Sequence, residues 1–161
     1  MQSFTVAKAA QTITFAGPPS AAVGAGPLTL SATASSNLAV AFASSTSSVC
    51  TVSDTTLTIV AAGNCTVTAS QAGDTNYLAA TAVPRTFTVS KGTQTITFGA
   101  LSNVAFGVAP ITLTATASSG LTVAFASTTS TVCSVSGTTL TILKPGSCSV
   151  TASQAGNGNY T

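Results

Sequence analysis

Apolar and polar residues alternate along most of this chain with a period of two, the spacing of strands that bury one face. Residues 12–15 put Ile13 and Phe15 on one side. Residues 28–34 turn Leu28, Leu30, Ala32 and Ala34 inward and Thr29, Ser31 and Thr33 outward. Residues 38–43 present Leu38, Val40 and Phe42. Residues 49–53 and 55–60 read as a hairpin across Ser53-Asp54-Thr55, with Leu57 and Ile59 inward. Residues 65–70 turn Cys65, Val67 and Ala69 inward, and residues 82–90 do the same with Phe87 and Val89. Pro84 denies that last strand one ladder donor, which predicts an edge or a bulge there. No helical apolar stripe interrupts the pattern, so the expected class is all-β.

The pattern then repeats. QTITF at 11–15 returns at 94–98, and SSVCTVSDTTLTIVAAGNCTVTASQAGDTNY at 47–77 returns as STVCSVSGTTLTILKPGSCSVTASQAGNGNY at 130–160. Every landmark moves by 83 positions, and residues 4–78 align with 87–161 without a gap at 47 identities in 75. Such a period suits a small self-contained domain better than a one-motif solenoid repeat. Seven short strands per period, with Gly and Pro between them, describe an immunoglobulin-like sandwich. The expected organisation is residues 1–8 as the trailing strand of an upstream repeat, 9–91 as a first unit, and 92–161 as a second whose last strand is missing.

The framework QTITF, then V-C-x-V-x-x-x-x-L-T-I, then G-x-C-x-V-T-A-S-Q-A-G-x-x-x-Y, then F-T-V-x-K resembles the bacterial immunoglobulin-like tandem repeats of large cell-surface and adhesin-type proteins. The resemblance covers nearly the whole chain, twice. It implies beads in a stalk at the cell surface, holding a functional tip away from the cell. Many stalk repeats bind calcium between domains, and this sequence departs from them in lacking the acidic residues for it.

Charge sharpens the picture by removing chemistry. Charged residues make up 4% of the chain, with four Lys/Arg, two Asp/Glu and no His. An average soluble domain carries about 25%. Ser (22) and Thr (31) take up the polar share. Without imidazole, and with Asp54 and Asp74 as the only side-chain carboxylates, acid–base catalysis has almost nothing to draw on. No enzyme, cofactor or metal site is expected. Four scattered cations make no nucleic-acid footprint, and no apolar run approaches the length that spans a membrane. The first residues have no basic region followed by an apolar one, so they do not read as a signal peptide.

The cysteines form two pairs, Cys50/Cys65 and Cys133/Cys148, each 15 apart. Alternation turns both members of a pair into one core, which suits a disulfide in each repeat; the alternative is four buried thiols acting as small hydrophobes. Tyr77 and Tyr160 recur at one framework site, as structural rings capping the sandwich or as a glycan contact. Thr-x-Thr pairs such as Thr66/Thr68 invite an ice-binding reading, but twisted sheets do not supply the flat array it needs. No repeated Lys/Asn/acid trio supports an isopeptide crosslink. Residues 4–8, Phe-Thr-Val-Ala-Lys, match residues 87–91, Phe-Thr-Val-Ser-Lys. That match makes Phe4 and Val6 a possible donor strand for head-to-tail self-association. The expected function is a non-catalytic spacer or fibre-forming repeat, extracellular or on the bacterial surface, with neighbouring repeats as partners. The rival is an adhesive module gripping a glycan or protein through its end loops. The stretch 16–25, which shares two of ten positions with 99–108, is where such loops would specialise.

Overall fold

Strands form where Thr and β-branched or aromatic residues alternate, and they stop at Gly, Pro and Asn. The computed structural model describes residues 1–161, all of them strand, turn or irregular chain with no helix. The chain divides into two units, Met1–Gly92 and Thr93–Thr161.

The first unit carries nine strands: β1 (Ile13–Thr14), β2 (Ala21–Ala22), β3 (Leu28–Thr29), β4 (Thr33–Ala34), β5 (Ala41–Ser44), β6 (Cys50–Ser53), β7 (Thr56–Ile59), β8 (Gly63–Ser70) and β9 (Val83–Ser90). One sheet runs β2-β9-β8-β5. The other side is built from β3-β7-β6 and the pair β1-β4. The stretch 28–34, expected as one strand, is split because it changes partners: Leu28 lies opposite Leu57, while Ala34 lies opposite Ile13. β2 pairs parallel with β9, Ala21 opposite Val89, and the other strand pairs are antiparallel, while a single parallel bridge joins Ala9 to Tyr77. Pro84 sits opposite Thr68 on β8, at the end of β9 that β2 does not reach, so its absent N–H faces no strand.

The inward side chains of the two sheets form one core of Phe15, Leu30, Cys50, Leu57, Cys65, Val67, Ala69, Phe87 and Val89. Phe15 and Phe42 meet at a tilt with centroids 5.4 Å apart, an arrangement favoured by the ring quadrupoles. The second unit has seven strands: β10 (Ile96–Phe98), β11 (Ile111–Thr112), β12 (Ala115–Ala117), β13 (Ala124–Ser127), β14 (Cys133–Ser136), β15 (Thr139–Ile142) and β16 (Val150–Ser153). They pair as β10-β12, β11-β15-β14 and β13-β16. Strands equivalent to β2 and β9 are not among them. The fully buried core shrinks to Leu113, Cys133 and Leu140, with Phe98, Phe125, Cys148 and Val150 partly buried around it.

Candidate functional site

The cysteines are joined as Cys50–Cys65 and Cys133–Cys148, with Cα separations of 5.8 and 5.7 Å. In the first unit the bridge links β6 to β8, and so ties one sheet to the other across the core. Hydroxyls flank the sulfur: Ser44 Oγ and Thr46 Oγ1 lie 3.3 and 3.5 Å from Cys50 Sγ, and a bonded sulfur can only accept. Thr46 Oγ1 also accepts the Thr66 N–H at 2.9 Å. The second unit repeats the arrangement with Ser127, Thr129 and Ser149. Two disulfides point to an oxidising, non-cytoplasmic compartment.

Tyr77 and Tyr160 are half-buried and close the loop that follows β8 or β16. Their backbones hold that loop. Asp74 Oδ1 accepts the N–H groups of Asn76 and Tyr77, both at 2.8 Å, and the Tyr77 carbonyl accepts the Asp74 N–H at 3.1 Å. Gly73 makes the turn at φ +77°, where a Cβ would overlap the Tyr77 carbonyl oxygen and lie 2.7 Å from the Leu78 carbonyl carbon. In the second unit Asn157 Oδ1 accepts from Asn159 and Tyr160 at 2.8 and 2.9 Å. A carbonyl oxygen there performs what the carboxylate performs in the first unit.

Asp54 is also a turn residue. It starts the two-residue connection between β6 and β7 at φ +53°, and Gly137 takes the same place at φ +58°. Both side-chain carboxylates of the chain therefore shape turns.

A pair of glutamines escaped the strand reading. Buried Gln11 donates from Nε2 to Gln71 Oε1 and to the Leu78 carbonyl, each at 2.6 Å, while Ser36 Oγ donates to its Oε1. Gln71 Oε1 also accepts the Gly73 N–H. Gln94 and Gln154 form the same pair at 2.8 Å. The signal was present: both glutamines recur at the 83-residue shift, inside QTITF and inside ASQAG. Polar residues repeated at buried or half-buried positions lock one segment to another, here the start of the unit to the loop after β8. No buried side-chain nitrogen or oxygen lacks a partner.

The structure leaves Phe4 and Val6 88% and 81% exposed, on a segment with no strand pairing. Lys8 anchors the end of that segment by donating from Nζ to the Asp74 carbonyl at 2.7 Å. The second unit holds a groove of about 620 Å³ lined by Leu101, Val104, Phe106, Ile111, Leu140 and Cys148, among others. It is open, and Ser102, Asn103, Lys144 and Ser147 share its lining with those apolar side chains. No His/Cys/Asp/Glu cluster is gathered anywhere in the fold.

Architecture and polar chemistry together define two all-β units, each bridged internally by one disulfide, whose hydrogen-bonding groups serve their own turns and sheets. No protein-family model, curated protein or solved structure matches the chain.

Proposed function

We propose that the chain is two consecutive immunoglobulin-like units of a bacterial surface or secreted multi-repeat protein, acting as a non-catalytic spacer or fibre element. The parallel pairing of β2 with β9 carries this reading. β2 lies near the start of the first unit and β9 at its end, with Ala21 opposite Val89 and Ala22 opposite Ser90. The Val23 N–H donates to the Ser90 carbonyl at 3.0 Å, and Ser90 Oγ donates to the Ala21 carbonyl at 3.3 Å. Once the Ala9–Tyr77 bridge and the β1–β4 pair upstream have opened, tension along the chain pulls the two parallel strands in opposite directions, so these hydrogen bonds are loaded together in shear instead of being peeled singly. A four-stranded sheet in the order β2-β9-β8-β5, a three-stranded sheet β3-β7-β6 and the separate pair β1-β4 around one core support the immunoglobulin-like assignment. One departure is the staple, which joins β6 to β8 with no tryptophan packed on it.

Pulling single molecules by their ends tests the proposal. The first unit is expected to unfold in its own event, at higher force than the second, which has no such parallel pair. Reduction should lengthen each event by about 50 Å, the extended length of the roughly 15 residues freed by opening one bridge. A first unit that stretches without a resolvable force peak overturns the load-bearing role. Micromolar binding to a defined glycan or matrix protein on an array of such ligands would replace it with the adhesive reading.

A further inference from the structure

The loop after β16 departs from its counterpart after β8 in a way that changes its chemistry. The first unit reads Asp74-Thr75-Asn76-Tyr77 and the second Asn157-Gly158-Asn159-Tyr160, so the second holds the chain's single Asn-Gly pair. An asparagine is thermolabile because the next backbone nitrogen can attack its side-chain amide. Asn157 and Gly158 are both exposed, on irregular chain between β16 and Tyr160. Glycine has no Cβ to restrict rotation of its peptide plane, and a Cβ at Gly158 would meet nothing within 4 Å. No hydrogen bond occupies the Gly158 N–H.

The other asparagines are worse placed. After Asn76 and Asn159 the attacking groups would be the N–H of Tyr77 and of Tyr160, and both are already donated to Oδ1 of residues 74 and 157. Asn37, Asn64 and Asn103 are followed by Leu38, Cys65 and Val104, whose Cβ atoms restrict the attacking nitrogen.

The loop also readies the atom on which charge develops. Asn157 Oδ1 accepts the N–H groups of Asn159 and Tyr160 at 2.8 and 2.9 Å. Attack on Cγ turns that oxygen into an oxyanion, and preorganised donors at about this distance stabilise one. The Asn157 N–H donates to the Tyr160 carbonyl at 2.9 Å, and Gly156 turns the chain at φ +78°, so both donors are held before reaction begins.

We propose that Asn157 is a self-modification site, at which the second unit converts its own amide to a carboxylate. The Gly158 nitrogen bonds to Cγ and gives its proton to hydroxide. The Cγ–Nδ2 bond breaks, and Nδ2 takes a proton from water and leaves as ammonia. The five-membered imide then takes up one water. Opening at Cγ leaves aspartate in the native main chain, and opening at the Asn157 carbonyl carbon leaves isoaspartate, with the main chain routed through Cγ. One water enters, one ammonia leaves, and nothing is oxidised or reduced. The aspartate product has its counterpart in Asp74, whose Oδ1 accepts the same two N–H groups, so the loop survives it. Isoaspartate lengthens the main chain by a carbon inside a closed loop and opens it around Tyr160.

Peptide mapping by mass spectrometry follows the 161-residue chain in warm, mildly alkaline buffer. Asn157 is expected to convert at least tenfold faster than in a synthetic peptide of residues 152–161, where the two donors are not held. Unfolding the chain with denaturant and reductant should bring the rate down to that of the peptide. Gly158→Thr, which installs the first unit's residue, should slow conversion at least tenfold. Conversion in the folded chain at or below the peptide's rate overturns the proposal, because the loop would then shield Asn157 instead of activating it. So does conversion centred on another asparagine, or an unchanged rate in Gly158→Thr.

Discussion

Four pairs of identical residues behave differently in the two units. Cys65, Val67 and Ala69 are completely buried and Phe15 nearly so, whereas Cys148, Val150, Ala152 and Phe98 are only partly buried. The side chains are the same and the bridges join the same positions. What differs is the company. β8 runs eight residues from Gly63 to Ser70 because β9 pairs with it along almost its whole length, and β16 runs four residues from Val150 because nothing pairs with residues 146–149 on that side. Burial here is a property of the sheet, conferred by a strand some 20 residues away in sequence, and a window around Cys148 carries no sign of it.

Removing the decisive side chain of β9 should turn the first unit into a likeness of the second. Phe87→Ala deletes a large buried aromatic and is expected to cost about 3–5 kcal/mol. Calorimetry should show the first unit melting at least ~10 °C lower, consistent with ~4–8 °C per kcal/mol for a domain of this size. Amide exchange along β8 should rise to the level of residues 146–149. If the melting point does not move, β9 is not what completes the core.

The bridges provide the next contrast. Each closes a loop of 15 residues, which stabilises by about 3 kcal/mol in the loop-entropy description. Cys65 is fully buried, but Cys148 lies partly exposed in the groove, and thiol–disulfide exchange depends on access to a sulfur. Mild reductant should therefore open Cys133–Cys148 at least tenfold faster than Cys50–Cys65, as read by timed alkylation and peptide mapping. Equal rates would mean that the groove does not admit a small thiol. The turn after β8 comes below this in size. Gly73→Ala should cost about 1–3 kcal/mol, because a side chain there combines a left-handed backbone with a blocked Cβ. Chemical denaturation of the first unit measures it.

Much of the all-β pattern was legible because period-two alternation reports which side of a strand is buried, and Leu57, Val67, Phe87 and Val89 all lie inward as their spacing indicates. The strand β2 was not legible. Two alanines in a Gly- and Pro-rich stretch carry no alternation, and they become a strand only because Val89 and Ser90 lie alongside. The division of residues 28–34 into β3 and β4 was hidden for a similar reason, since a change of partner leaves no mark on side-chain period. The groove in the second unit could be read only by laying one repeat on the other. The glutamine pairs were visible as repeats, but joining Gln11 to Gln71 needs a contact across 60 residues, which composition and spacing do not supply.

The smallest expected effect separates charge from geometry. The first unit has Asp74 where the second has Asn157, and both accept two backbone N–H groups through Oδ1 in the same loop. Lys8 binds the backbone carbonyl of Asp74 through Nζ, so that contact does not require the carboxylate. The loop thus asks for one correctly placed acceptor oxygen, which either side chain provides. Asp74→Asn should leave the first unit within about 0.5 kcal/mol of its starting stability, the usual span for a surface change that keeps its contacts. Asp74→Ala leaves both N–H groups to water and should cost about 1 kcal/mol, the common net worth of such hydrogen bonds. Denaturation of the two variants side by side decides the matter. A loss for Asp74→Asn equal to that for Asp74→Ala would mean that the negative charge itself holds the loop, and that the two units close it by different physics.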